Sequence, residues 1–531
     1  MTAAMLGTAA SAQETYINAP LAQKDLNGTA RYVGMGGAME ALGADISTIG
    51  TNPAGIGMFR RSVVNGSFGL NSQSDTKSFA NADKTNMSFD QAGFVYTMRT
   101  SRSSFVNFGF NYTKSKNFDQ ILTTAGRLNN ASQNKLSAMK NANGVYSLKD
   151  QNGRLLSNSA TYNQVDYLYS NTLFNNSDAA LSNDGVIVRK DDGTPVFYNS
   201  SDYQFGRANS GYIGEYDFNI SGNSNDRFYW GLTFGLYDVH YNGNTGYSEN
   251  IVGSNDVNAV VLADEQKITG TGFDVKAGII FRPVEESPFR IGLYVHTPTW
   301  YDLTTKNTTT IAYNHISNGL ASGSYGSAKI GESYDFKFYT PWRFGVSLGH
   351  TVGNYLALGA TYEYADYSTD DIRVNDGGDI DYWGNYYESS HSDDAMNRNV
   401  KSSLKGVHTL KLGLEFKPEK NFAVRLGYNY LSAMYNKNGY KDGTINSYGS
   451  YYTSTTDYTN WKDTHRVTAG FGYALKNWNF DIAYQYSQTN GDFYPFMSYV
   501  DGSDQKYDNV CDAAKVSNKR NQVLMTIGYR F

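Results

Sequence analysis

The chain has 531 residues, with 45 Lys and Arg against 50 Asp and Glu for a net charge of -5, and its basic residues are scattered, which excludes the charge footprint of a nucleic-acid binder. Aromatic residues make up 15% of it, with 44 Tyr and 53 Gly beside only 9 Pro, and mean hydropathy is -0.51. No window approaches the roughly 18 consecutive apolar residues of a spanning helix. A membrane location would therefore use strands, whose alternate residues face lipid while lumen and loops stay polar, with aromatic girdles at the two interfaces. The single Cys511 forms no intramolecular disulfide. His240, His296, His315, His350, His391, His408 and His465 lie far apart without metal-ligand spacing, so no metal and no cofactor is expected.

Residues 1–12 are small and apolar and end in Ala10, Ser11 and Ala12 before Gln13, the pattern of a signal-peptide tail with its cleavage site. The charged start of such a peptide is missing, and the alternative is a plain tail. The mature chain is expected to begin at Gln13.

Residues 13–60 do not alternate and precede the first strand, expected near residues 61–72, so they read as a compact plug ahead of a barrel over residues 61–531. The plug centres on residues 28–45 (GTARYVGMGGAMEALGAD) and 52–57 (NPAGIG). Gly34, Gly36 and Gly37 match part of a dinucleotide loop, but the preceding strand and βαβ unit which that motif requires are missing. Residues 37–43 read instead as a short helix, with glycine allowing close backbone contact.

From residue 61 onward, segments alternate with period two. Trp478, Phe480, Ile482, Tyr484 and Tyr486 alternate with Asn479, Asp481, Ala483, Gln485 and Ser487, one face suited to lipid and the other to water. Soluble sandwiches share that period; the connections decide between the two. Short ones (100–103, 223–226, 283–287, 353–354, 417–421 and 476–477) alternate with long polar ones (73–87, 117–211, 243–266, 305–331, 369–402, 436–463 and 489–518). Six short and seven long connections join fourteen strands, and an even count with short turns at one end and long loops at the other is the rhythm of an outer-membrane barrel. Within the longest loop, residues 127–140 are a candidate helix with Leu128, Leu136 and Met139 near one face. The chain ends with Met525, Ile527, Tyr529 and Phe531 on one face of a last strand. A terminal Phe of this kind resembles the signal read by the barrel-assembly machinery. Parity turns Lys411, Glu415, Arg425, Arg466, Asp481 and Arg530 into the lumen, either as structural ion pairs or as bidentate partners for a carboxylate ligand.

The plug then carries a resemblance. A Gly-rich start, a short Ala-rich helix, an Asp and then Asn52, Pro53, Ala54 and Gly55 just before the first strand resemble the hatch of the FadL/TodX family of hydrophobic-compound transporters. Residues 339–349 (YTPWRFGVSLG) and 356–368 (LALGATYEYADYS) are similar to that family's central strand pair, and 466–473 and 479–486 to its penultimate pair. The long loops lie outside the resemblance.

The resemblance implies an all-β transmembrane barrel of about fourteen antiparallel strands with an N-terminal hatch, in the outer membrane of a Gram-negative bacterium. It implies passive uptake of hydrophobic molecules, long-chain fatty acids by default, through a groove in the outer loops, a lumen pocket, hatch displacement and lateral exit. It places Asn52 where hatch meets wall. The residue-level alternative is that Asn52 and Pro53 initiate a turn, Asn bonding its own backbone and Pro fixing φ. No nucleophile, base and oxyanion arrangement is identifiable, so an outer-membrane lipase ranks below a transporter. The rival functions are a general porin, which the plug opposes, a haem receptor using an axial His, Cys, Met or Tyr, and a structural or adhesive barrel working through residues 117–211.

Overall fold

The computed structural model describes residues 14–142, 146–149, 155–157, 163–173, 197–253, 257–317, 320–380, 382–384, 386–442, 445, 447, 452–499 and 508–531. Residues 1–12, read above as a signal remnant, lie outside them, as do parts of the 117–211 segment.

Fourteen antiparallel strands close into one barrel. In chain order they are β1 (Val63–Ser74), β2 (Thr85–Arg99), β3 (Phe105–Asn117, continued by Gln120–Arg127), β4 (Asn199–Ser224), β5 (Phe228–Val252), β6 (Val257–Phe281), β7 (Arg290–His296 and Trp300–Ser317), β8 (Leu320–Tyr339 and Arg343–Val352), β9 (Leu356–Asp366 and Asp371–Ile380), β10 (Tyr386–Ser392 and Gly406–Glu419), β11 (Phe422–Leu431), β12 (Tyr458–Leu475), β13 (Trp478–Tyr494) and β14 (Ala514–Arg530). Each strand pairs with its chain neighbours, and β14 closes on β1 from Val63↔Arg530 to Ser74↔Lys519. Closure leaves no edge strand among the described residues, as a bilayer core would demand, because it offers nothing else to bond a free N–H or C=O.

The period-two pattern maps onto this wall. On β13, Trp478, Phe480, Ile482 and Tyr484 are exposed outward, whereas Ala483 and Gln485 are buried inward. Four neighbouring strands, β7 to β10, break at one level: at Thr297–Thr299, at Thr340–Trp342, in a 3-10 turn over Tyr367–Thr369, and in helix α5 (Asp394–Ser403). Pro298 and Pro341 cannot donate to a ladder. The threonine hydroxyls take over: Thr297 Oγ1 accepts from the Val275 N–H at 3.0 Å and Thr340 Oγ1 from the Thr299 N–H at 2.8 Å.

The strands run further than the alternation indicates. Residues 243–266 and 305–331, expected as loops, are largely ladder: β5 and β6 pair from Asn242↔Lys267 to Asn250↔Ala259, and β7 continues to Ser317. Strands β4 to β6 have 26, 25 and 25 residues, far beyond the roughly 9–11 that cross a bilayer. Their far ends carry a second apolar cluster, in which helices α3 (Gln133–Ala142) and α4 (Gln164–Asn171) bury Leu136, Leu168 and Tyr169 against Phe205, Tyr247 and Phe493. The helix expected over residues 127–140 thus begins later, with Leu128, Leu136 and Met139 all buried.

Residues 14–60 fill the lumen with helix α1 (Thr15–Ala22), helix α2 (Ala30–Gly34) and 3-10 turns at Ile46–Gly50 and Pro53–Met58. The helix expected over residues 37–43 is not formed; one turn over Ala30–Gly34 is helical instead. The cause is local: Gly36, Gly37 and Gly43 all adopt positive φ, at 64°, 80° and 61°, which no right-handed helix contains.

Candidate ligand cavity and plug

The plug is fastened to the wall by side chains that parity placed inside. Arg31 grips Glu415 with two bonds, Nε to Oε2 at 2.9 Å and Nη2 to Oε1 at 3.0 Å. Arg425 donates to the same Glu415 at 2.7 Å and to Asp481 at 2.6 Å. Lys411 meets Glu40 at 2.8 Å, and Glu40 also accepts from Tyr32 Oη at 3.1 Å and Thr361 Oγ1 at 2.7 Å. These contacts lie at the 2.7–2.9 Å of charge-assisted bonds or close to it. Lys411, Glu415, Arg425 and Asp481 are therefore committed to structure. Arg530 sits exposed at the turn end of β14. Arg466 alone of the six lines a cavity inside the barrel.

The hatch residues make backbone-level contacts. Asn52 is both turn and wall contact: its Oδ1 accepts from the Ala54 N–H at 3.2 Å, and its Nδ2 donates to Glu40 O at 3.0 Å and to Ile279 O on β6 at 3.4 Å. Pro53 follows as the first residue of the 3-10 turn, and the Gly55 N–H returns to Asn52 O at 3.0 Å. At Gly34, Thr468 Oγ1 donates to the carbonyl at 3.2 Å, and Asn429 Nδ2 does the same at Gly36. Gly36 admits no side chain: a Cβ there would lie 2.8 Å from Tyr428 N and 2.9 Å from Leu412 O. Gly37, also at positive φ, would press its Cβ onto Leu26 at 2.8 Å.

On the loop side of these anchors lies a cavity of about 240 Å³. Its apolar part comes from α1 and the wall, with Leu21, Leu26, Phe118 and Trp461 among the lining, and seven Lys and Arg side chains against four carboxylates make the rest. Three cations surround one plug carboxylate. Asp25 lies 3.5 Å from Lys116 on β3, 3.9 Å from Arg466 on β12 and 4.0 Å from Arg520 on β14. Among the described residues its one short side-chain contact is with the Asn117 N–H, at 3.0 Å. Burial pushes the Asp25 carboxyl up, but Lys116, Arg520 and Arg466 together outweigh it and hold the group below its ordinary value.

The wall is incomplete beside this cavity. β2 and β3 pair only from Arg99↔Phe105 to Gln91↔Thr113, although β2 runs on to Thr85 and β3 to Asn117. Asp90 and Lys114 border that gap and line the cavity. A second cavity, of about 210 Å³, shares Asn71, Gln120, Asn209 and Arg520 with the first and is lined by the β1–β2 loop.

The architecture can be set beside known proteins. A Pseudomonas aeruginosa FadL homologue matches with 13% identity over 96% of this chain and 100% of its own, at TM-score 0.49. The Ralstonia pickettii toluene transporter TbuX matches at 14% identity, covering 95% of this chain and 99% of its own (TM-score 0.47), and the P. putida toluene transporter TodX at 11%, covering 96% and 99% (TM-score 0.47). No family model and no curated protein sequence matches the chain.

Sequence reasoning missed Asp25, Lys116 and Arg520 as cavity residues. Asp25 belongs to no motif, and Lys116 and Arg520 border stretches read as loops. Only the closure of β14 on β1, which sets β12 to β14 beside β1 to β3, brings them together.

Proposed function

We propose that the chain is an outer-membrane protein for passive passage of hydrophobic or amphipathic molecules, with long-chain fatty acids as the default substrate class. The observation that carries this reading is a plugged lumen with an amphipathic cavity beside a gap between β2 and β3. A ligand would reach the cavity from the loop end, shift the segment of the plug that lines it, and leave sideways through the gap. No bond is made or broken. The cavity supports plug movement by its size, since about 240 Å³ falls below the roughly 300–1,000 Å³ usual for small-molecule pockets.

In this reading the short turns face the periplasm, the α3–α4 layer faces outside, and the exposed apolar wall meets outer-membrane lipid. Phe531, exposed at the end of β14, is the element offered to the barrel-assembly machinery.

Deleting Asn52–Ala54 tests the proposal. Cells carrying the variant at normal surface levels should take up labelled fatty acid more slowly while the barrel stays folded. Unchanged uptake would reduce Asn52 and Pro53 to a structural turn and remove the hatch from the route.

A further inference from the structure

We propose that Asp25 is an internal occupant of an anion site, and that an anionic amphiphile binds by taking its place on Lys116, Arg466 and Arg520, which unlatches the plug beside the β2–β3 gap. The inference rests on the transport reading above and adds to it the residues that discriminate charge.

Two kinds of ion pair stand side by side in the same lumen. The anchors, Arg31 with Glu415 and Lys411 with Glu40, close to 2.8–2.9 Å. Around Asp25 the three cations stay at 3.5, 3.9 and 4.0 Å, beyond the range of a charge-assisted bond. Asp25 meets Lys116 only at the outer limit of a hydrogen bond and makes no short bond to either arginine. Two of the cations are held in place by neutral groups instead: Arg466 donates to Asn429 Oδ1 at 2.9 Å and Arg520 to Asn117 O at 3.3 Å. The frame thus keeps its shape when Asp25 leaves.

The surplus is local to Asp25. Arg207 is matched by Asp457 at 2.6 Å, Lys462 by Asp492 at 3.2 Å and Lys441 by Glu14 at 3.3 Å, and Lys114 reaches Asp90 through the Ser88 hydroxyl, which leaves Lys116, Arg466 and Arg520 facing the one plug carboxylate. A desolvated cluster of this sign favours a carboxylate, sulfonate or phosphate monoester, with the chain of the ligand on Leu21, Leu26 and Phe118.

Displacing Asp25 has a mechanical consequence. The Asp25 N–H donates to Ser115 O at 2.7 Å and the Asn117 N–H to its carboxylate at 3.0 Å. Both partners belong to the part of β3 that has lost β2. The linker between α1 and α2 is thereby pinned to the rim of the gap, and a ligand that replaces the carboxylate removes the second of these bonds and loosens it. A neutral molecule of the same length has nothing to exchange.

The test is equilibrium binding of dodecanoate and of dodecanol to the full chain in nanodiscs. Asp25→Asn should tighten dodecanoate by roughly 5–150-fold, the usual span of coupling between two sites, and leave dodecanol unchanged. Arg466→Gln should weaken dodecanoate alone. Equal effects on both probes, or weaker dodecanoate binding in Asp25→Asn, would overturn the exchange while leaving transport intact. If neither probe binds any of the three proteins, the transport reading falls as well.

Discussion

Glu40 of the plug and Lys411 of β10 meet at 2.8 Å inside the barrel, the carboxylate without solvent exposure and the ammonium nearly so. With Arg31 on Glu415, this pair fixes the middle of the plug to the wall while the segment before it rests on looser contacts.

Breaking one half of the pair should be costly. Lys411→Met strands the buried Glu40 carboxylate, at a cost of about 3–5 kcal/mol, whereas Lys411→Met with Glu40→Gln removes both charges and costs far less. Hydrogen exchange over residues 28–58 should show lost protection in the single variant and partial recovery in the double one. Equal protection in all three would show that the pair does not hold the plug.

Gly36→Ala should loosen the same region by another route. The residue sits at φ 64°, and its new Cβ would press on backbone atoms of Tyr428 and Leu412, which cannot rotate away as a side chain could. The left-handed conformation alone costs roughly 1–2 kcal/mol, and the clash adds to it. Thermal scans should record a lower plug transition with the barrel transition unmoved.

The pH response should differ between the two ends of the lumen. Glu249 lies on the extension of β5 beyond any bilayer, accepting from Asn134 Nδ2 at 2.8 Å and Tyr247 Oη at 2.9 Å, and from the Gln133 and Asn134 N–H groups at 3.3 Å each. Burial raises its carboxyl, and those donors only partly offset it. Its contribution to the α3–α4 layer is therefore complete below the ordinary glutamate range and is lost as pH rises through its raised value. Asp25 has the opposite sign: its contribution holds above the ordinary aspartate range and is lost only as pH falls through its lowered value. Limited proteolysis should find α3 better protected at about pH 4 than at about pH 8, with Glu249→Gln flattening the difference. Stronger protection at the higher pH would reverse the assignment.

How much of this was legible in the sequence depends on whether a strand has two unlike faces. Trp478 to Tyr486 alternates because lipid lies on one side and the lumen on the other, so strand number, turn positions and inward parity could be counted. Asp264, Glu265, Gln266 and Lys267 lie in an equally regular strand, but there both faces are polar, and nothing in composition separates such a ladder from a loop. Parity put Arg425 and Arg466 inside alike. It could not reveal that Arg425 is committed to Glu415 and Asp481 while Arg466 faces the cavity, because those partners come from other strands. In the plug, the glycines point to close packing, but their positive φ values exclude the helix expected over residues 37–43.

Topology gives a further check. With residues 117–211 outside the cell and 353–354 in the periplasm, protease applied to intact cells should cut the first segment and spare the second. The reverse pattern would invert the barrel.

The central claim is that a built-in plug closes the lumen and must move for anything to pass. A barrel of fourteen strands falls between those filled by their own side chains and the porins of roughly 16 or more that hold an aqueous channel, so without its plug it should conduct. Planar-bilayer recordings of the intact chain should show little steady conductance, and removal of residues 14–60 should raise it sharply. Stable, ohmic, porin-like channels from the intact chain would contradict the account.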